Sequence, residues 1–246
     1  MPGSRRRRPR RPRRPRRWVW WLAGAAAAVV VLAVGGTFVF FHFISGATPA
    51  PLNLKPSSGP SSTAPAGESA ATSVAGTWKI TTGSVVGYRV KEVLFGQNHT
   101  AVGRTSAITG HVTISGTTVT AAGFTVQMAT IKSDESQRDV QFRGRIMDTA
   151  AYPTGTLTLT KPISLGTMPA LGVVKTYRAT ADLTLHGQTR AVTFPLSAER
   201  TSSEIEVQGS IPVLFSRWDI PNPSFTGFVT TQNHGVLEFL LKLARS

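Results

Sequence analysis

From Val86 onward, apolar and polar residues alternate one by one, and this period of two limits the fold more than any other feature of the chain. Val86, Tyr88 and Val90 alternate with Gly87, Arg89 and Lys91. The same pattern recurs at Ile108, Val112 and Ile114, at Phe124, Val126 and Met128, and at Leu157 and Leu159. It returns at Leu183 and Leu185, then at Val192, Phe194 and Leu196, and last at Ile205, Val207, Ile211 and Val213. Each run buries one face and wets the other, as antiparallel strands do. Turn residues separate the runs at Ser115-Gly116, Gly187-Gln188 and Ser202-Ser203. Leu185 to Thr189 reads as a two-residue hairpin with Gly187 at the first turn position. Eight or nine strands are expected, arranged as a sandwich or a closed barrel; composition leaves both open.

One stretch breaks the alternation. Ser133 to Asp148 has helical spacing, with Phe142 and Ile146 four apart. Asp134 with Arg138, and Asp139 with Arg143, are acid-first pairs at the same spacing, which favour a surface helix. Ser133 is the expected N-cap.

Composition matters chiefly before residue 76. The chain carries 27 Lys+Arg against 12 Asp+Glu, for a formal charge of +15. Ten of those arginines fall within residues 1–17 with no acid among them, whereas residues 76–246 hold 16 basic and 11 acidic side chains. The basicity therefore belongs to an arm, residues 1–17, where like charge and repeated proline prevent folding. Residues 18–44 follow with no Asp, Glu, Lys or Arg. A helix of that length reaches about 40 Å, against a hydrocarbon core of about 30 Å. Tryptophans at one end and phenylalanines at the other suit the two interfaces. A signal peptide is the alternative, but its apolar region runs only about 7–15 residues. The reading is a single-pass transmembrane helix in the cytoplasmic membrane. Its Arg arm would stay in the cytoplasm against anionic lipid, and the rest of the chain would be extracytoplasmic. No nucleic-acid partner is expected. Residues 45–75, rich in Ser, Pro, Ala, Gly and Thr, read as a disordered linker. Residues 76–246 form the folded domain.

The chemistry-bearing residues are sparse. With no cysteine, the chain has no disulfide, thiol nucleophile or lipoprotein anchor. Its histidines, at 42, 99, 111, 186 and 234, have no metal-ligand spacing. No Gly-x-Ser-x-Gly elbow or P-loop is present. His111 and His186 fall on polar strand faces, and Asp139 and Asp148 each have an arginine near, so surface ion pairs are expected for both. No catalytic residue, metal or cofactor is expected, and the chain is read as a non-enzyme.

The segment Ala181 to Phe194, ADLTLHGQTRAVTF, resembles the signature of the YceI family. Trp78-Lys79-Ile80 with Ser84 to Val90 resembles that family's opening strand pair. Ser136 to Asp139, Phe142-Arg143, Met147-Asp148 and Tyr152-Pro153 resemble its next conserved segment. The resemblance runs over residues 76 to 243. It implies a mainly β fold, a lipocalin-like antiparallel β-barrel with one short α-helix, that binds a long polyisoprenoid or similar lipid in its interior.

On that basis the expected lipid contacts are Tyr88, Val90, Phe124, Val126, Met128, Phe142, Ile146, Leu157, Leu159, Leu183, Leu185, Phe215 and Phe228. Arg138, Arg143 and Arg145 are candidates for a charged head group. The expected function is binding, storage or transfer of an isoprenoid by a membrane-tethered barrel. Two rivals stand beside it: an enzyme using a polar pocket around His186 or Asp182, and a structural or adhesive module with a filled core. A homodimer is left open.

Overall fold

The computed structural model describes residues 25–31, 48–54, 73–94, 96–224 and 229–246. The chain divides into two compact units, residues 1–46 and 47–246. In the first, residues 25–31 are helical and exposed. The expected arm at 1–17, the remainder of the expected span at 18–44 and the middle of the expected linker lie outside the described residues. Among the described residues no helix is long and apolar enough to cross a membrane.

The second unit is one antiparallel sheet curled on itself. Its elements are β1 Gly76–Ile80, β2 Val85–Leu94, β3 Gln97–Thr105, β4 Ile108–Ser115, β5 Thr118–Gln127, α1 Ser136–Gln141, β6 Thr154–Leu159, β7 Ile163–Ser164, β8 Lys175–Leu185, β9 Gln188–Arg200, β10 Glu204–Leu214, β11 Val229–Thr231 and β12 His234–Arg245. Eight strands pair in the order β1-β4-β5-β6-β8-β9-β10-β12, and β12 pairs back to β1 to close a barrel. Closure leaves this ring without a free edge.

On the edge away from β10, β12 is long enough to serve two partners. Val236 to Leu240 pair with β2, and Leu243 to Arg245 pair with β1. The break between β1 and β2 exposes backbone groups that need partners. Ser84, 2 % exposed, supplies them: its hydroxyl donates to the Thr81 and Lys242 carbonyls and accepts from the Lys242 N–H at 2.9 Å. β3 and β11 extend the sheet from β2.

The alternation has the expected consequence. Ala179, Ala181, Leu183 and Leu185 of β8 are all buried, while Thr180 and Thr184 between them bond across the outer face to Thr193 and Thr189 at 3.1 and 2.8 Å. Such cross-strand pairs stabilise the register.

Several local expectations are corrected. The β8–β9 turn is His186-Gly187, one residue earlier than expected, because Leu185 pairs with Gln188. Both turn residues have positive φ, 47° and 73°, as a type I′ turn requires. His186 is therefore a turn residue rather than a strand residue, and its ring packs on Tyr152 at 4.6 Å. Gly187 is required there, since a Cβ would lie 2.6 Å from the Tyr152 ring.

The helical stretch is shorter than Ser133 to Asp148. α1 has six residues and then widens into a π-type turn over Phe142–Ile146, where the Met147 N–H reaches the Phe142 carbonyl at 2.9 Å. Glu135, not Ser133, precedes the helix, and no side chain caps it. Asp139 does not form a surface pair with Arg143. It is 8 % exposed and accepts from both the backbone N–H and the hydroxyl of Ser133 at 2.8 Å. Burial rewards neutral hydrogen-bond donors packed close to a carboxylate.

Residues 48–54, at the start of the expected linker, lie against the barrel. Arg89 donates to the Pro49 carbonyl at 2.8 Å, Arg104 donates to the Ala50 carbonyl, and the Leu52 N–H reaches Glu238 at 3.4 Å. Glu238 also takes Arg104 at 2.7 Å and Arg89 at 3.4 Å. Its side chain is 6 % exposed, whereas the two arginines are 27 % and 19 % exposed. Removing the one carboxylate leaves two cations facing each other. Glu238→Gln is expected to cost about 3 kcal/mol in a urea titration, and to make residues 48–54 an early site of limited proteolysis. A midpoint shift worth less than about 1 kcal/mol would show that the cluster is a solvated surface pair.

Candidate functional site

The inward stripes do not meet at the barrel centre. They enclose an apolar cavity of about 310 Å³, within the range of small-molecule sites. Its shape follows from β8, where Tyr177, Ala179, Ala181, Leu183 and Leu185 all line the wall. The eight steps from Tyr177 to Leu185 cover about 26 Å at ~3.3 Å each. With the usual barrel tilt this is about 20 Å along the axis. The cavity is a tunnel rather than a pit.

Small side chains keep it open. Ala101, Ala122, Ala179, Ala181, Ala198 and Gly155 all face the space. A leucine at those positions would fill the core of an eight-stranded barrel, as in barrels whose interiors hold side chains alone.

Twelve of the thirteen residues expected to touch a ligand line the tunnel: Tyr88, Val90, Phe124, Val126, Met128, Phe142, Ile146, Leu157, Leu159, Leu183, Leu185 and Phe215. Phe228 lies outside the described residues. The three arginines part company. Arg138 reaches the tunnel wall. Arg143 is half-buried and forms no part of it. Arg145 turns away and donates to the Asn222 and Pro223 carbonyls at 3.3 and 3.1 Å.

The tunnel has unlike ends. Away from α1 it is lined by Val74, Ile114, Val119, Met168 and Leu243, with Glu199 and Arg200 in the wall. Near α1 it meets a polar cluster. Arg138 donates to Glu92 at 3.1 Å and to Asp134, and His99 lies 3.1 Å from the same Glu92. Burial opposes the Arg138 charge, but Glu92 and Asp134 outweigh it and hold the guanidinium above its ordinary pKa. Tyr88 stacks on Phe142 with ring centroids 5.2 Å apart. Gly103, its cross-strand partner, makes room for the ring, since a Cβ there would lie 2.4 Å from it. Burial pushes the Tyr88 phenol well above its ordinary pKa, so it stays a neutral donor.

Residues 78–242 match the YceI-like domain. The chain belongs to the YceI family. The YceI barrel also resembles solved structures at low sequence identity. A polyisoprenoid binding domain from Saccharophagus degradans, implicated in plant cell wall breakdown, shares 15 % identity, with 70 % of this chain covering 99 % of that one at a TM-score of 0.57. BcnA of Burkholderia cenocepacia shares 20 % identity, over 63 % of this chain and 95 % of that one, at a TM-score of 0.49. Campylobacter jejuni YceI shares 10 % identity, over 58 % of this chain and 84 % of that one, at a TM-score of 0.46. The first of these likenesses shows the fold; the other two add no argument. No curated protein sequence matches the chain.

Several wall residues of the YceI barrel escape sequence reasoning. The inner row of β12, with Gly235, Leu237, Phe239, Leu241 and Leu243, went unread, because Leu240 on the outer face disguises its alternation. Ala179 and Ala181 carry too little apolar weight to register as a buried stripe. Glu92 and Thr231, cross-strand neighbours at the polar end, had no local signal at all. Among the described residues no three His, Asp or Glu are grouped to hold a metal ion.

Proposed function

We propose that this YceI protein is a carrier that holds a long apolar lipid of the isoprenoid class, without covalent chemistry, in the tunnel of its barrel. The observation that carries this reading is the continuous apolar tunnel, with a wall of aliphatic and aromatic side chains interrupted by small residues. Each buried CH₂ is worth about 0.8 kcal/mol, so twenty carbons represent about 16 kcal/mol before the ordering of chain and ligand is subtracted. Tight binding then needs few polar contacts. The polyisoprenoid binding domain of the same fold in Saccharophagus degradans supports the ligand class.

The carrier is tethered. Residues 18–44 act as its single-pass anchor, the Arg arm at 1–17 stays on the cytoplasmic side against anionic lipid, and the barrel works at the outer face of the cytoplasmic membrane. The uncharged run of 18–44 and the arginines before it support this arrangement. No cofactor takes part, and the bound lipid is the ligand.

One preparation tests both statements. The full chain, purified from its native host, should sediment with membranes, and its organic extract should give one apolar lipid at about one per protein by mass spectrometry. An extract without lipid, from protein that also takes up no fluorescent apolar probe, would overturn the carrier reading. Recovery of the full-length chain in the soluble fraction would overturn the anchor.

A further inference from the structure

The loop from β7 to β8 carries apolar side chains on its outside. Leu171, Val173 and Val174 are 56 %, 48 % and 42 % exposed. Elsewhere among the described residues of the barrel unit, exposed large apolar side chains stand singly in the chain, at Val93, Val140, Tyr152 and Leu214. Single exposed apolar residues are ordinary, whereas a cluster of them marks a contact surface. This cluster is held out rather than folded back. Ala170 to Val173 form a turn in which the Val173 N–H donates to the Ala170 carbonyl at 3.3 Å, and Gly172, at its third position, has φ 75° as a type II turn requires. The Gly172 N–H donates to the Arg200 carbonyl of β9 at 2.9 Å. Lys175 Nζ ties down the other limb of the loop, donating to the Leu165 and Thr167 carbonyls at 3.1 and 3.3 Å.

The neighbours of the cluster indicate what covers it. Leu165, Met168 and Pro169, in the first half of the same loop, line the tunnel at the end away from α1. The tunnel lining and the exposed cluster are thus two halves of one loop. Its charge has a single sign: residues 149–181 hold Lys161, Lys175 and Arg178 and no Asp or Glu. Lys161 and Arg178 are exposed, and the Lys161 N–H reaches the Thr180 carbonyl at 3.4 Å, which places Lys161 beside the strand that carries Arg178. Glu204 and Glu206, at the start of β10, are paired with Lys242 at 3.9 and 2.7 Å. Apolar tips flanked by cations are what an interfacial element presents to a bilayer with anionic lipid. A second copy of this chain fits less well. A two-fold contact would set these cations against their own copies, and a three-residue tip falls far short of the ~800 Å² per partner of a stable protein interface.

Resting on the carrier reading above, we propose that the β7–β8 loop docks into an anionic membrane surface and that the lipid passes between bilayer and tunnel at this end. Leu171, Val173 and Val174 enter the headgroup region, while Lys161, Lys175 and Arg178 meet the lipid phosphates. The lipid then moves past Met168 and Pro169 and stays out of water throughout. The acidic side chains Glu92, Asp134 and Asp139 gather at the other end, away from the anionic surface.

The absence of cysteine from the chain makes the test clean, since one introduced thiol takes one label. Full chains carrying Leu171→Cys or, at the α1 end, Leu214→Cys are labelled with nitrobenzoxadiazole and reconstituted in vesicles of phosphatidylglycerol and phosphatidylcholine. The label at 171 should shift to the blue and be quenched by spin-labelled lipid, and the label at 214 should do neither. Vesicles of phosphatidylcholine alone should give a docked fraction at least threefold smaller; an equal fraction would overturn the role given to the three cations. A label at 171 that stays in water would overturn docking. So would a blue shift without vesicles that grows with protein concentration, because a second copy would then cover the cluster. Replacing Leu171, Val173 and Val174 together by serine should slow refilling of the delipidated barrel from lipid-loaded vesicles at least tenfold, with the same final occupancy and an unchanged melting temperature. Refilling at the parent rate would overturn passage at this end. Lipid in the organic extract of the same preparations keeps the two readings apart: lipid present with the label in water sinks docking alone, and a docked label with no lipid sinks the carrier reading and, with it, the passage of lipid.

Discussion

Ala181→Phe is expected to empty the tunnel. Ala181 is 2 % exposed and faces inward midway along β8, between Ala179 and Leu183, with Leu159 and Val192 opposite it on the neighbouring strands. A phenyl ring at this height lies across the path a chain must take from one end to the other. In a packed core such an insertion costs about 1–3 kcal/mol, but here the ring enters open space. The unliganded variant should therefore stay within about 1 kcal/mol of the parent, while lipid recovered by extraction falls at least tenfold. Thermal melting and mass spectrometry on the same preparation separate the two effects. Full lipid occupancy in a well-folded Ala181→Phe variant would place the ligand outside the barrel and undo the carrier proposal.

The largest expected loss of stability belongs to Trp218→Ala. Trp218 is 0 % exposed, and its indole N–H donates to the Leu183 carbonyl at 3.1 Å. It packs into the main core from a short turn that ends at Asp219, where φ is 52°. Truncation to alanine removes the packing and leaves a cavity, a change that costs about 4 kcal/mol for a buried tryptophan. For a domain of this size the melting temperature should drop by about 12 °C. Trp218→Phe keeps most of the volume, so the difference between the two variants isolates packing from the lost hydrogen bond. A loss below about 2 kcal/mol for Trp218→Ala would show that the neighbouring chain closes over the gap.

The tunnel wall was legible in the sequence wherever a large apolar residue alternated with polar ones, as at Phe124-Val126 and Leu183-Leu185. It was not legible where the wall is made of small residues. Ala179 and Ala181 look unremarkable between Arg178, Thr180 and Asp182, yet their size decides whether the barrel is hollow. The α1 region was half legible. Phe142 and Ile146 were placed on one face by their spacing, and both reach the tunnel. The expected Asp139–Arg143 pair did not form, because Ser133, six residues before Asp139, folds back onto the carboxylate and satisfies it with two neutral donors.

The β8–β9 turn shows how narrow the margin is. Leu185 to Thr189 announces a hairpin plainly, but two placements of the turn differ by one residue. Choosing His186-Gly187 depends on φ > 0 at both positions and on the Tyr152 ring packed beside them. Moving the two-residue turn by one position would shift every cross-strand partner by two, which keeps the faces but sets Leu183 opposite Val192 instead of Arg190.

By itself the sequence determined most of the long strands, their buried faces and the family, because a period of two and a run of motif residues are local properties written into neighbouring positions. The tertiary structure alone decided that the sheet closes through β12 onto β1, that its interior stays open, and that Glu92, Arg138 and Thr231 gather at one end. Those outcomes depend on distances between residues far apart in the chain. Such distances are set by strand register and side-chain volume around a closed ring, and no short stretch of sequence carries them.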